Sequence, residues 1–518
     1  MQKRISYDVL IGSVLVIIPL LLFWNVPSEN NPYMNITTIW VVMSISAVAI
    51  AGIALNQKLM MPLLDVLILV YLLYWHLRFL TLAIFPEYDL VLTRTVAINP
   101  DAFNSYSLVV LGTLISAISG CYLAYKYISF QMIRHEGKGL LQLSRHRINI
   151  DVSDKFIAVI VYFFLVILFH FCVFMVFGVG DQPRWVGYLS LFFNHSTSIF
   201  AMLLLLLSPR LMGKRKLLVY VSFVLFVLFM MLSGSRSALV ALILATLIML
   251  LVLGKKPSFS IKSIMGLMLL SFFMSLIFAY ATFQRDLKAT EGVYSQVSMK
   301  YAGCKVVELL LGKKEGCQEL YEEIDSEEID SEEIDSEEID SENRMSSLKS
   351  SVRAMFGYAF ARAGYLDYSA EFYVNSDYDS ILNFKNIGKS LLDNSVPGQF
   401  FEDSKRIEHR IRDVYNLTAI GYQSDAIGIV GENYRLFSNF YPVAIAVVSF
   451  LFMSLFCLFR QTALGLYCQF IIAMSVVAWW NSFGYDTLLL DMSRELIAGG
   501  IVISIIMLDW TKLGKNGN

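Results

Sequence analysis

The run KFIAVIVYFFLVILFHFCVFMVFG, residues 155–178, holds one charge, Lys155, and one histidine, His170. As a helix it rises about 36 Å, enough to cross the roughly 30 Å hydrocarbon layer of a bilayer. It lacks the ten-residue alternation of a membrane barrel strand. Runs of the same kind lie on either side, so that apolar segments cover 8–26, 36–56, 61–85, 104–126, 155–178, 186–208, 216–233, 236–253, 261–283, 439–459, 463–480 and 493–510. The reading is an all-α polytopic membrane protein of about twelve transmembrane helices. Composition agrees: 56% of residues are hydrophobic and 16% charged, with a mean hydropathy of +0.59, whereas soluble domains carry about 25% charged residues.

Lysine and arginine set the orientation. They collect at Lys3 and Arg4, at Lys58, between Lys126 and Lys155, between Arg210 and Lys216, at Lys255, Lys256 and Lys262, at Arg460, and at Lys512 and Lys515. All of these are the N-terminus or ends of even-numbered spans, so all fall on one side, expected to be the cytoplasm. Both termini are then inside and 284–438 is outside. The sidedness rests on parity, and its narrowest point is Leu232-Ser233-Gly234-Ser235-Arg236, which barely separates spans 7 and 8. The basic start, Met1-Gln2-Lys3-Arg4, is followed by no A-x-A-like cleavage site, so the first run reads as a retained helix.

Three regions follow: an N-terminal set of spans over 1–283, a large and partly helical extracytoplasmic loop over 284–438 between spans 9 and 10, and C-terminal spans over 439–518. Within the loop, Glu-Glu-Ile-Asp-Ser starts at Glu322 and recurs unchanged at 327, 332 and 337, inside an acidic tract at 319–342. Such a tract cannot collapse and reads as a disordered tether, with a cation-binding strip as the less favoured reading. Segments 346–373 and 400–415 read as helices, 375–394 as turn-rich, and 422–436 as the lead into span 10. Of the six cysteines, Cys121, Cys172, Cys457 and Cys468 lie in apolar runs and read as packing residues. Cys304 and Cys317 flank the stretch before the repeat. Outside the cytoplasm they pair or stay free, and the sequence leaves both open.

Ionisable groups in or beside a span are expensive and mark candidate sites. They are skewed to the expected outer side: His76 and Arg78 in span 3, His170 in span 5, Asn194-His195 midway in span 6, Arg236 at the start of span 8, Asn481, Tyr485 and Asp486 in the last outer loop, and Arg494 at the start of span 12. A transporter would place such groups near the midplane. Each has a plain alternative: a histidine packed and hydrogen-bonded inside the bundle, or an arginine that snorkels to the headgroups. The turn Ser233-Gly234-Ser235-Arg236 offers backbone N–H groups and a guanidinium together, which suits an anion. In the loop, Arg362-Ala363-Gly364-Tyr365-Leu366-Asp367-Tyr368 joins a guanidinium, a carboxylate and aromatic rings, although amphipathic packing accounts for it too. Gly431-Glu432-Asn433-Tyr434-Arg435 sets a carboxylate at the mouth of span 10, and His409 lies in Glu408-His409-Arg410. Arginines suit a diphosphate, rings suit sugar faces, and a carboxylate or imidazole suits proton removal from a hydroxyl. No nucleotide-binding loop, zinc-protease helix or serine-hydrolase elbow is present.

At the Ser233–Arg236 turn with the span after it, the late external loop, the Arg362–Asp367 stretch and Gly431-Glu432-Asn433-Tyr434, the chain resembles the O-antigen and oligosaccharide repeat-unit polymerases of the Wzy type. It is more distantly similar to the O-antigen ligases. The acidic repeat departs from that pattern. The resemblance implies a metal-independent, cofactor-free membrane glycosyltransferase of GT-C-like kind at the outer face of a bacterial inner membrane. Its substrates would be an undecaprenyl-diphosphate-linked oligosaccharide donor and a lipid-linked acceptor of an O-antigen or capsule type polysaccharide. Its partners would be membrane lipids and a chain-length regulator, with no nucleic acid. Arg236, Arg362, Arg78 and Arg494 would then face the diphosphate. Glu432, His409 and Asp367, in that order, would serve as the base, and Tyr365, Tyr434 and Ser235 would contact substrate. Alternative readings are an O-antigen ligase, which uses the same donor, a flippase or transporter of lipid-linked sugars, and a structural subunit of an export complex.

Overall fold

The computed structural model describes residues 4–25, 36–59, 61–76, 79, 100–136, 155–177, 196–207, 213–215, 217–219, 221–222, 225, 236–254, 256, 258–260, 304, 382–395, 428–459, 462–481 and 485–507. The expected loop helices at 346–373 and 400–415, the acidic repeat and span 9 lie outside these residues, as does most of span 7. The described chain is nearly all helical. Its helices are α1 (Tyr7–Asn25), α2 (Ile36–Leu59), α3 (Pro62–Tyr71), α4 (Pro100–Glu136), α5 (Phe156–Phe177), α6 (Ser196–Leu207), α7 (Arg236–Val252), α8 (Phe384–Ser395), α9 (Gly428–Phe437), α10 (Tyr441–Leu458), α11 (Ala463–Asn481), α12 (Tyr485–Arg494) and α13 (Gly500–Met507). Two short strands, β1 (Arg4–Ser6) and β2 (Ser258–Ser260), pair antiparallel with Ile5 opposite Phe259.

Among the described residues, three stretches are long and apolar enough to cross a membrane: Ile36–Gln57, Ser105–Phe130 and Val430–Leu458. Shorter apolar helices are Tyr7–Leu22, Pro62–Tyr71, Phe156–Phe169 and Ala463–Ala478. The outer faces of these helices are apolar as well. Ile157, Phe164 and Leu168 on α5, and Val443, Val447 and Leu451 on α10, are each more than half exposed. Their spacing makes a continuous greasy stripe on each helix. Such stripes are a liability in water and the ordinary surface of a protein in lipid. This is a helical membrane-associated protein.

Helices before residue 284 and after residue 438 share one core. α11 is apolar all round, with Leu466, Phe470, Ile471, Ile472 and Ala473 buried, and it packs among α3, α6, α7, α9, α10, α12 and α13. α10 lies along α4, where Gly112 and Gly120 line the contact and let the backbones approach. A Cβ on Gly120 would run into the backbone carbonyl of Ala446. Gly120→Val is therefore expected to cost about 1–3 kcal/mol by overpacking. Thermal unfolding in detergent checks this, with Gly12→Ala, where a Cβ meets open space, as the control that does not destabilise.

Side-chain contacts fix the relative directions of the helices. Lys256 Nζ bridges Asp8 Oδ1 at 2.7 Å and Asp65 Oδ1 at 3.1 Å. With the β1–β2 ribbon, this gathers the start of α1, the start of α3 and the end of α7 at one end of the bundle. Farther up, Ser46 Oγ on α2 lies 2.8 Å from His76 Nε2, and the Tyr71 hydroxyl donates to the Val110 carbonyl of α4 at 3.2 Å. α4 therefore descends toward the ribbon end. α10 runs parallel to it, since Tyr441 meets Gly112 and Ala446 meets Gly120, and α11 climbs back. The last turn of α11, the start of α12 and the whole of α9 thus sit at the end opposite the ribbon.

Two helices depart from the expected form. Span 3 passes into a π segment at Leu72–His76, and the last helix carries another at Glu495–Gly499. A π segment widens the helix and frees carbonyls. In the second, the Tyr467 hydroxyl donates to the Glu495 carbonyl at 3.2 Å, in space that a side chain on Gly499 would take. The boundaries expected for the last span are also corrected. Asp486 is not in a loop and Arg494 does not begin a helix. The helix starts at Tyr485 and Arg494 is its tenth residue, because the Tyr485 N–H finds a capping acceptor elsewhere in the chain.

Candidate functional site: a buried carboxyl pair opposite the ribbon

That acceptor is Glu432. The apolar stretch Val430–Leu458 has 29 residues and would be about 43 Å long as one helix, more than the hydrocarbon is thick. Ser438, with φ of +48°, breaks it within the turn Ser438–Phe440. The break separates the apolar helix α10 from the amphipathic α9. α9 turns Val430, Gly431, Glu432 and Asn433 inward and packs on α10 and α11.

Glu432 is fully buried, at 0% exposed. Its Oε2 accepts the Tyr485 backbone N–H at 2.8 Å, one of the donors that a helix start leaves without an intrahelical partner. Its Oε1 has no hydrogen-bond partner. Next to it in the fold is Asp486, 3% exposed. Asp486 Oδ2 accepts from Ser390 Oγ on α8 at 2.6 Å, and Oδ1 lies 3.5 Å from Thr487 Oγ1. The Tyr485 hydroxyl donates to Asn433 Oδ1 at 2.8 Å, tying α12 to α9 a second time. Burial, and then the charge of Asp486, hold the Glu432 carboxyl well above the usual carboxylate range, outweighing the Tyr485 N–H, which favours the anion.

The sign of the stability effect follows. A carboxyl that binds its proton more tightly folded than unfolded contributes stability that is fully present below its ordinary value of 4.5. That contribution is lost as pH rises through the raised folded value. The stability difference between wild type and Glu432→Gln is therefore expected to move against wild type as pH rises above 4.5, which thermal unfolding across pH measures.

α8 is a correction to the sequence reading, which took 375–394 as turn-rich. Phe384–Ser395 is a helix. Asn383 starts it, with Oδ1 accepting the Asn386 N–H at 2.9 Å. Ile387 and Ser390 are buried on its inner face, and Phe384 meets the Phe437 ring edge-on at 5.5 Å. The signal was present in an asparagine followed by Phe384, Ile387 and Leu391 at helical spacing. The polar residues Asn383, Asn386 and Asn394 around it read as turn chemistry.

The other candidates fall out as follows. Tyr434 is half-buried, its ring 5.8 Å from that of Tyr441. Arg494 lies nine residues beyond Tyr485, about 13 Å along the helix, with Nη1 3.9 Å from Asp491 Oδ1. It is not brought to the carboxyl pair. His76 is the packed, hydrogen-bonded histidine of the plainer reading, buried against Ser46. α7 begins at Arg236, so that residue enters the bundle at the same end as Glu432. Arg78, Ser235, Arg362, Tyr365, Asp367 and His409 lie outside the described residues, and so does His195. The cysteines Cys121, Cys172, Cys457 and Cys468 are free. Cys121 and Cys468 are buried, as packing residues should be, while Cys172 is exposed. Cys304 is disulfide-bonded, and Cys317 lies outside the described residues. Sequence reasoning passed over Ser390, named Asn433 within its motif without a role of its own, and named Asp486 without pairing it to Glu432. Among the described residues no group of three or more metal-ligating side chains occurs.

No family model, no curated protein and no solved structure matches the chain.

Proposed function

We propose that this chain polymerises lipid-linked oligosaccharide repeat units of a bacterial surface polysaccharide at the outer face of the plasma membrane, with Glu432 as the proton-transfer residue. The observation that carries this reading is the buried Glu432 carboxyl, whose Oε1 has no partner, at the end of the bundle where Arg236 also enters. The donor is a glycan on undecaprenyl diphosphate and the acceptor is a hydroxyl on one new lipid-linked unit. As the acceptor oxygen bonds the anomeric carbon, the bond from that carbon to the diphosphate oxygen breaks, and its electron pair stays on the diphosphate. The hydroxyl proton passes to the Glu432–Asp486 pair and on to the departing diphosphate. Arg236 and Arg362 offset the charge that develops on the leaving group.

The topology that goes with this reading has about twelve spans, both termini inside and 284–438 outside. The start of α1, the start of α3 and the end of α7, which the charge pattern assigns to one side, do gather at one end. A disulfide at Cys304 suits an oxidising compartment outside the cytoplasm. A ligase shares the donor chemistry and is the second reading.

The test is genetic. In a host deleted for its own polymerase and supplied with the matching repeat-unit genes, the chain is expected to restore a ladder of glycan lengths. A host that still makes only single repeats, with the protein present in the membrane, contradicts the reading. Lipid-linked repeats that accumulate on the cytoplasmic side without this chain would point to a flippase.

A further inference from the structure

The described part of the molecule offers three polar clusters away from bulk solvent. The Lys256–Asp8–Asp65 bridge closes the ribbon end and explains itself as a clasp between three segments. Ser46 Oγ meets His76 Nε2 inside the bundle, and His76 Nδ1 is buried there without a partner. The cluster around Glu432 differs in that its buried atom without a partner belongs to a carboxyl group with a second carboxyl, that of Asp486, beside it. It is also assembled from segments far apart in sequence: Ser390 from the loop, Glu432 from the helix before α10, and Asp486 from the helix after α11.

We propose that Asp486 is the positioning residue of this site, and that Glu432 and Asp486 work as one carboxyl pair that keeps a single proton, with Ser390 latching Asp486 in place. The proposal rests on the functional reading above and adds the residue through which Glu432 acts. Two carboxyl groups enclosed together do not both ionise, since like charges at close quarters in a medium that screens poorly repel strongly. A pair with one proton can still take a second from an acceptor hydroxyl, and it can give one up to a diphosphate oxygen without ending more charged than it began. Glu432 presents the unpartnered oxygen. Asp486 is fixed by Ser390 and sits one residue after the N–H that holds Glu432 Oε2. Other ionisable groups on the elements packed here include Lys385, Lys389 and Asp393 on α8, Tyr434 and Arg435 on α9, Tyr106 on α4, Tyr441 and Cys457 on α10, Tyr467 and Cys468 on α11, and Tyr485, Asp491 and Arg494 on α12. Asp486 follows directly on the residue whose N–H Glu432 accepts, and its charge is the one that holds the Glu432 proton more tightly.

Infrared spectroscopy of the purified full chain in detergent tests the pair without any turnover. The wild type is expected to show the C=O stretch of a protonated carboxyl at pH values well above about 4, where ordinary carboxyl groups have lost their protons. Glu432→Gln should lack that band. The band titrates as a property of the pair. Asp486→Asn, which removes the like charge, should move its midpoint down by about one pH unit or more. Ser390→Ala, a small change that leaves both carboxyl groups, should move it as well, because the side chain that holds Asp486 in place is gone. A wild type without the band, a band that survives Glu432→Gln, or a midpoint unmoved by both Asp486→Asn and Ser390→Ala overturns the proposal. Because these readouts need no substrate, their failure is distinct from a failure to polymerise.

Discussion

Glu432→Gln is expected to stop chain growth while the protein stays folded in the membrane. Glutamine has nearly the shape of glutamic acid, and its side-chain oxygen can still accept the Tyr485 N–H that Glu432 now takes at 2.8 Å. The junction of α9 and α12 is thereby kept. What is lost is the exchangeable proton. General acid–base catalysis by one positioned group contributes about 10²–10⁴-fold, so polymer should fall from a ladder to single repeats at unchanged membrane level. Glu432→Ala is less informative, because it also leaves the first N–H of α12 without its acceptor. Glycan length read on a gel beside an immunoblot of membranes checks this. A full ladder from Glu432→Gln would remove Glu432 from the chemistry.

Arg236→Ala and Arg362→Ala are expected to have effects of similar size by a different route. Cleaving the sugar–diphosphate bond leaves the diphosphate with additional charge, and removing one preorganised cation from a developing anion costs on the order of 10²–10³-fold in rate. Each variant should give single repeats with normal insertion. Arg494→Ala is expected to retain more polymer than either, because Arg494 lies down the helix from the carboxyl pair and close to Asp491. A ladder from both Arg236→Ala and Arg362→Ala would remove the arginines from the site and leave the polymerase reading standing.

The helical membrane character was legible in the sequence because it depends on run length and polarity, which burial does not alter. Lys256, just after the end of α7, and the starts of α1 and α3 could be placed on one side from charge alone. The inward face of α9 was harder. Glu432 was visible as a carboxylate beside a span, but nothing in Gly431-Glu432-Asn433-Tyr434 says that it is sealed from water or that it caps a helix starting at Tyr485. That contact joins residues 53 positions apart, and the Ser390–Asp486 bond joins residues 96 apart. Hydropathy has no access to either. The start of the last helix was misplaced for the same reason. Tyr485–Arg494 carries Asp486, Asp491 and Arg494 and does not look like a span. It is helical because its first turn is capped and packed by partners elsewhere in the chain. α8 was missed because its asparagines carry local turn signals, which the burial of Ile387 and Ser390 overrides.

The most direct measurement uses purified chain in liposomes with an undecaprenyl-diphosphate-linked repeat unit as both donor and acceptor. The account predicts lengthening glycans and one undecaprenyl diphosphate released for each bond formed, without added metal, and loss of both in Glu432→Gln. Release of diphosphate without longer glycans, or movement of the lipid-linked unit across the bilayer with no new bond, would contradict it.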